Sequence, residues 1–72
     1  MTAMDAARVD TLAREIIIQY GLPFELVGVE PKNGGWQIVV RDQMRRVVQF
    51  TIPDTTAVRI REMIKAHLDE EA

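Results

Sequence analysis

The side chains that could support catalysis in this chain are few. His67 is the only histidine, and the chain contains neither cysteine nor serine. Catalysis of the serine or cysteine type needs such a nucleophile beside a base, so the sequence excludes it. His67 falls on the apolar stripe of a predicted helix, where a ring at the edge of the core is the usual explanation. We therefore expect a structural role for His67.

The carboxylates offer no catalytic pair. Asp69, Glu70 and Glu71 are adjacent near the end of the chain, and Glu25 and Glu30 lie in a predicted strand. Acid–base catalysis by two carboxylates needs surroundings that separate their pKa values. Neither the three carboxylates near the end of the chain nor the two in the predicted strand lie in an evident apolar pocket. No thiolate zinc site or other metal motif is present. The sequence predicts a non-enzymatic protein with no catalytic, cofactor-binding or metal site and no small-molecule substrate.

The glycine pair Gly34-Gly35 is a turn signal rather than a phosphate-binding loop. It lacks the lysine and hydroxyl residue that follow such glycines, and it does not open a helix. Asn33-Gly34-Gly35 instead separates two β-prone runs, Phe24 to Pro31 and Trp36 to Arg41. Asparagine and glycine tolerate the positive φ of tight hairpin turns. The triplet therefore predicts a β-hairpin.

The first helix is predicted from about Asp5 to Tyr20. Its apolar residues recur at helical spacing and form one stripe: Val9, Leu12, Ala13, Ile16, Ile17 and Tyr20. Thr2 or Asp5 can cap the start, while Gly21 and Pro23 end the helix. Ile18 lies outside the stripe and is expected to face solvent or a partner.

The strands differ in how clearly alternation defines their faces. The second strand turns Trp36, Ile38 and Val40 inward. The third strand, predicted from Arg46 to Ile52, turns Val48, Phe50 and Ile52 inward, with Arg46 at its inner edge. In the first strand both alternating sets contain apolar residues, so its register stays open and Val27 and Val29 belong to either face. Gly28 within this run is typical of a bulge.

The second helix is predicted from about Thr55 to Asp69, after a possible cap at Asp54, Thr55 or Thr56. Val58 lies outside its apolar stripe. The chain thus reads as a single domain, 1–72, of the α+β class in α-β-β-β-α order. Two amphipathic helices can cover only one side of a three-stranded antiparallel meander, which predicts a two-layer sandwich with both helices on one face.

Charge and hydropathy narrow the class of partner. Nine basic and eleven acidic residues give a net charge of −2, which argues against a general polyanion-binding protein. The longest apolar run is too short to span a membrane, and the first residues do not read as a leader. We expect a cytoplasmic protein of bacterial type.

The uncovered face of the predicted sheet is the main functional candidate. It is half apolar, and a domain of this size has a small core, so association would add buried surface. The sequence predicts an interaction module that dimerises or binds another protein through this face or through an edge strand. The predicted partner-binding residues are Gln37, Val39, Arg41, Arg45, Val47 and Gln49.

A cluster of arginines supplies an alternative. Arg41, Arg45 and Arg46 bracket the link between the second and third strands, with Lys32 at the opposite end of the hairpin, and guanidinium groups can bind phosphates. The helix, meander, helix order resembles that of the double-stranded RNA-binding domain, and the resemblance implies RNA binding. That family presents lysines at the start of its second helix, whereas Asp54 to Val58 contains none. The alternative is therefore a weak nucleic-acid binder that uses the arginines.

Overall fold

The computed structural model describes residues 4–71 and confirms the predicted architecture. Helix α1 (Ala6–Gln19) is followed by strands β1 (Phe24–Lys32), β2 (Gly35–Asp42) and β3 (Val47–Pro53) and by helix α2 (Ala57–Glu71). The strands form one antiparallel sheet in the order β1-β2-β3. Both helices pack on the same face of that sheet, as expected for a two-layer α+β sandwich.

Local capping fixes the bounds of α1 close to those predicted. The Asp5 side chain accepts a hydrogen bond from the Arg8 backbone N–H at 2.8 Å and so satisfies one of the free amides of the first turn. At the other end, Tyr20 is the C-cap, and its backbone N–H donates to the carbonyl of Ile16. The alternative cap, Thr2, lies outside the described residues.

The predicted hairpin turn is present and consists of two residues. Asn33 and Gly34 have φ values of 50° and 77°, and Lys32 pairs directly with Gly35. Positive φ at both central residues is the mark of the type I′ turn, whose twist matches that of the flanking strands. Gly35 itself belongs to β2 and lies against Ile52, because a Cβ atom at this position would overlap the Ile52 carbonyl oxygen.

A β-bulge at Val27 resolves the register of β1. Leu26 pairs with Val40, whereas Gly28 pairs with Val39, so Val27 is the extra residue. The extra residue shifts the alternation of inward and outward side chains by one position in the rest of β1. Val29, which pairs with the inward residue Ile38, therefore faces the helices. Val27 is left 47% exposed.

The core lies between the helices and the inner side of the sheet. Its buried residues are Val9, Leu12, Ala13 and Ile16 of α1, Leu26, Trp36, Ile38, Val40 and Ile52 of the sheet, and Ile60, Ile64 and Leu68 of α2. Trp36, predicted as a core residue, is 7% exposed, and its indole N–H donates to Asp54 at 3.2 Å. Within residues 4–71, neither helix has the length and hydropathy that crossing a membrane would require.

Several predicted boundaries were wrong by one or two residues, and the starts of β3 and α2 have local causes. β3 begins at Val47 rather than Arg46, because Arg45 and Arg46 belong to the loop between β2 and β3. Arg46, predicted at the inner edge of the strand, and Arg45, predicted as a partner-binding residue beside it, therefore both lie in the loop. Helix α2 begins at Ala57 rather than Thr55, since the Thr56 hydroxyl accepts from the Arg59 backbone N–H at 3.3 Å and caps the helix.

Candidate interaction surface

The sheet has one side that no other element of the described chain covers. We call this side the open face. Cross-strand pairing arranges it in three rows across β1, β2 and β3, which are Glu30–Gln37–Thr51, Gly28–Val39–Gln49 and Glu25–Arg41–Val47. The open face therefore contains most of the predicted partner-binding residues on two adjacent strands.

Apolar and polar side chains alternate over the open face. Val47 is 60% exposed, and Val39 lies half-buried between its neighbours on β1 and β3. A direct hydrogen bond of 2.5 Å joins the Gln37 and Gln49 side-chain amides across β2 and β3. The open face thus presents exposed valines among polar and charged side chains, a mixture common in protein interfaces.

The loop between β2 and β3 gathers the three arginines around Asp42. The carboxylate of Asp42 accepts from the backbone N–H groups of Met44 and Arg46 and from the Arg46 Nε, all at 2.9 Å. These bonds, the Arg46 backbone bond above all, lower the pKa of Asp42. The loop also holds Arg45 at φ 66°, a left-handed conformation.

Two of the arginines are free to bind a ligand. Arg41 and Arg45 are exposed, and neither forms an ion pair with any residue of the range 4–71. Lys32 lies at the opposite end of the sheet from this loop, about 23 Å away along β2 if each residue advances about 3.3 Å. The structure therefore gathers Arg41, Arg45 and Arg46 and leaves Lys32 apart.

The two edge strands of the sheet are protected to different degrees. β1 carries the bulge at Val27, Pro31 and the charged Glu25, Glu30 and Lys32. Such features prevent another strand from pairing with an edge. β3 has no bulge, and from Val47 to Ile52 it has no charged residue and no proline. The sequence predicted pairing through an edge strand without distinguishing β1 from β3, and the uncharged composition of β3 was the signal that separates them.

The direction of the backbone groups of β3 follows from the hydrogen bonds at its two ends. The Asp42 N–H donates to the Arg46 carbonyl at 3.0 Å, and the Asp54 N–H donates to the Gly34 carbonyl at 3.3 Å. Hydrogen-bonded and non-hydrogen-bonded pairs alternate along an antiparallel ladder. Even-numbered residues of β3 therefore bond to β2. The odd-numbered residues Val47, Gln49 and Thr51 direct their N–H and carbonyl groups outward.

The outer surface of the helices is a second, smaller apolar region. Ile18 is 80% exposed and Val58 is 65% exposed, as their positions outside the stripes predicted. Tyr20 was predicted on the buried stripe but is 47% exposed, because it lies just beyond the end of α1. The ammonium of Lys65 lies 4.7 Å from the centroid of the Tyr20 ring. The Arg61 guanidinium also bridges the two helices by donating to Glu15 and Gln19 of α1.

His67 lies at the edge of the core, as predicted. Its ring stacks on Phe50 of β3, with the centroids 4.5 Å apart and the planes 11° from parallel. Across the described residues, no group of three histidine or carboxylate side chains is placed to bind a metal ion. A surface depression of about 460 Å³ beside the hairpin turn is lined by Lys32, Gly34 and neighbouring backbone rather than by acid–base pairs.

Comparison with known proteins assigns no family. No protein-family model, no curated protein and no solved structure matches the chain. The element order shared with the double-stranded RNA-binding domain is therefore a likeness of topology alone. The function has to be inferred from the surfaces themselves.

Proposed function

We propose that this protein is a non-enzymatic interaction module that binds a protein partner through the open face of its sheet or through an edge strand, in the first place a second copy of itself. One observation carries the proposal. Both helices pack on one side of the sheet, so the apolar side chains of the other side, Val27, Val39 and Val47, stay uncovered in the described chain. Exposed apolar groups with a polar surround are typical of protein-binding surfaces.

The size of the domain supports association. A chain of this length buries only about 60% of the surface that its unfolded form exposes, which leaves a modest margin of stability. Stable protein interfaces bury about 800 Å² on each partner. Burying apolar surface contributes roughly 25 cal/mol of stability for each Å². An interface on the open face would therefore add buried apolar surface to a domain whose own core is small.

The solution mass tests the proposal directly. Light scattering from micromolar to near-millimolar protein should show a dimer that survives high salt, because apolar contacts are not screened. Val47→Glu should weaken the dimer and leave the fold intact, since Val47 is 60% exposed. Val58→Glu is the matched control, because Val58 is 65% exposed but lies on the helical side. Circular dichroism checks that both variants fold.

Two results would overturn this proposal. A monomer at every concentration would exclude self-association as the working mode. If Val58→Glu weakened the dimer as much as Val47→Glu, the open face would not be the interface.

A second candidate function is weak nucleic-acid binding, and one observation favours it. Arg41 and Arg45 lie at the same end of the sheet, exposed and without an ion-pair partner among residues 4–71. Phosphate binding by these groups predicts an affinity for RNA that falls steeply as salt rises. Replacing Arg41 and Arg45 with alanine should abolish RNA binding, because these are the two exposed arginines of this end of the sheet that are unpaired within residues 4–71. RNA binding that persists in this variant would exclude the arginine loop.

A further inference from the structure

The unprotected edge of β3 suggests how two copies meet. Its outward groups are those of Val47, Gln49 and Thr51, which the intramolecular ladder does not use. The side chains of the same residues lie on the open face, away from the helices. A second strand could therefore pair with β3 without breaking a backbone hydrogen bond between β2 and β3. The other edge, β1, is blocked by its bulge, its proline and its charges.

We propose, on the basis of the interaction function above, that the partner is a second copy whose β3 pairs antiparallel with β3 about a two-fold axis at Gln49. Gln49 then faces Gln49 of the partner subunit, and Val47 faces Thr51 of the partner subunit. The two sheets become one continuous sheet of six strands. Because Val47 to Ile52 contains no charge, the two copies align without placing like charges together.

This register uses all the outward donors of β3. Pairing about Gln49 gives about six backbone hydrogen bonds, two for each hydrogen-bonded pair. Moving the axis to Val47 would bring Arg45, which lies in the loop, opposite Gln49. Moving it to Thr51 would bring Pro53, which has no N–H, opposite Gln49.

Two registers lie next to the Gln49 register: an axis at Val48 would place Arg45, which lies in the loop, opposite Thr51, and an axis at Phe50 is disfavoured by Pro53. In the Phe50 register Pro53 of one copy lies opposite Val47 of the other. The pyrrolidine ring would then point at the Val47 carbonyl, where the ladder needs a donor. The Gln49 register keeps Pro53 outside the paired segment.

The inner side of the joined sheet also favours this arrangement. Val48 and Phe50 are only partly buried in one copy, although both pack against the core. In the Gln49 register Val48 lies opposite Phe50 of the partner subunit at a non-hydrogen-bonded position, where side chains approach most closely. Aromatic and β-branched side chains form favourable cross-strand pairs. Pairing would therefore bury two half-exposed apolar residues of each copy.

Cysteine cross-linking tests the axis. The chain has no cysteine, so an introduced thiol reports only its own position. Gln49→Cys should form a covalent dimer under mild oxidation, because a hydrogen-bonded pair brings the Cα atoms to about 5.5 Å, within disulfide range. Thr51→Cys is the matched control on the same strand. It should cross-link poorly, since its predicted neighbour is Val47 of the partner subunit.

A charge exchange at the same residue gives an independent test. Gln49→Lys and Gln49→Glu should each raise the dimer Kd roughly tenfold or more, because like charges would meet at the axis. An equimolar mixture of the two variants should restore the dimer as a heterodimer. Failure of the mixture to restore it, or efficient cross-linking of Thr51→Cys instead of Gln49→Cys, would overturn the proposed axis.

Val39→Glu separates this inference from the wider proposal. Val39 lies on the open face of the central strand beside Gln49, and a partner strand paired with β3 would lie two strand spacings, about 10 Å, from it. An edge-paired dimer should therefore tolerate the change, which a dimer packed face to face would not. A wild-type dimer that Val39→Glu abolishes and that Gln49→Cys does not cross-link would overturn edge pairing while leaving the interaction module intact. A monomeric wild type would overturn both.

Discussion

Gly35 should be the least replaceable glycine of the hairpin, for a reason other than its backbone angles. In Gly35→Ala the new Cβ would overlap the carbonyl oxygen of Ile52, and that carbonyl belongs to the paired β3 strand. Backbone cannot rotate away as a flexible side chain can, so the strands must separate locally. Forcing an extra methyl group into a close-packed site costs about 1–3 kcal/mol, and a fixed backbone partner places Gly35→Ala near the upper figure.

Two other glycines give matched controls. Gly34 has φ 77° with open space around it, so Gly34→Ala should cost about 1–2 kcal/mol from the left-handed conformation alone. Gly28 has neither a positive φ nor a neighbour within 4 Å, and Gly28→Ala should be close to neutral. The expected order of destabilisation is therefore Gly35, Gly34, Gly28.

Urea unfolding followed by tryptophan fluorescence measures these differences. Trp36 is the only tryptophan and is 7% exposed, so its emission should change sharply on unfolding. A loss of about 3 kcal/mol would lower the Tm by roughly 12–24 °C in a domain of this size. A Gly35→Ala variant within about 0.5 kcal/mol of the wild type, or less destabilised than Gly34→Ala, would refute the steric explanation.

The loop between β2 and β3 supplies two further predictions. Hydrogen bonds lower the pKa of Asp42 in the folded state below its value in the unfolded chain. The stability that the Asp42 carboxylate gives to the fold is therefore fully present above the unfolded pKa and is lost as the pH falls through the folded pKa. Asp42→Asn should therefore be less stable than the wild type at neutral pH, with a difference in Tm that shrinks as the pH falls below the ordinary aspartate pKa; an unchanged difference would contradict this. Arg45→Gly should raise the free energy of unfolding by about 0.5–1 kcal/mol because it relieves the φ of 66°, whereas Arg45→Ala, which keeps a Cβ, should not. Equal stabilities of these two variants in urea would show that the backbone at Arg45 is not strained.

Elements fixed by local patterns were predictable from sequence. The helical period of α1, its Asp5 cap and the Asn33-Gly34 turn each depend on neighbouring residues, and all three appear where expected. Strict alternation likewise identified Gln37 and Val39 as residues of the uncovered side of the sheet. Local signals were sufficient there because the competing registers would bury polar side chains.

The remaining differences arise from contacts between distant parts of the chain. Asp54 was a possible cap for α2, but it accepts from the indole of Trp36, and Thr56 takes the cap position. Gly28 indicated a bulge in the first strand, but the extra residue, Val27, could not be identified because both alternating sets of this strand contain valine or leucine. The outward direction of the Gln49 N–H depends on the phase of the β2–β3 hydrogen bonds, which alternation of side chains does not reveal.

The different protection of the two edges bears on the size of the assembly. The even-numbered residues of β2 form their backbone hydrogen bonds with β3, and the odd-numbered residues of β2 form theirs with β1. Trp36 is even-numbered, so it and Pro31 of β1 are a non-hydrogen-bonded pair. Pro31 therefore removes a donor from the outer edge of β1 without removing a bond from the sheet.

Pairing of β3 with the partner's β3 uses the one unprotected edge of each copy, and the β1 edges that remain carry Pro31 and the bulge at Val27. A two-fold contact of this kind is closed, whereas pairing of β3 with β1 of the next copy would continue into a filament. The mass should consequently level at twice 8.2 kDa as concentration rises. Continued growth beyond that value would show that β1 accepts a strand despite its proline and bulge.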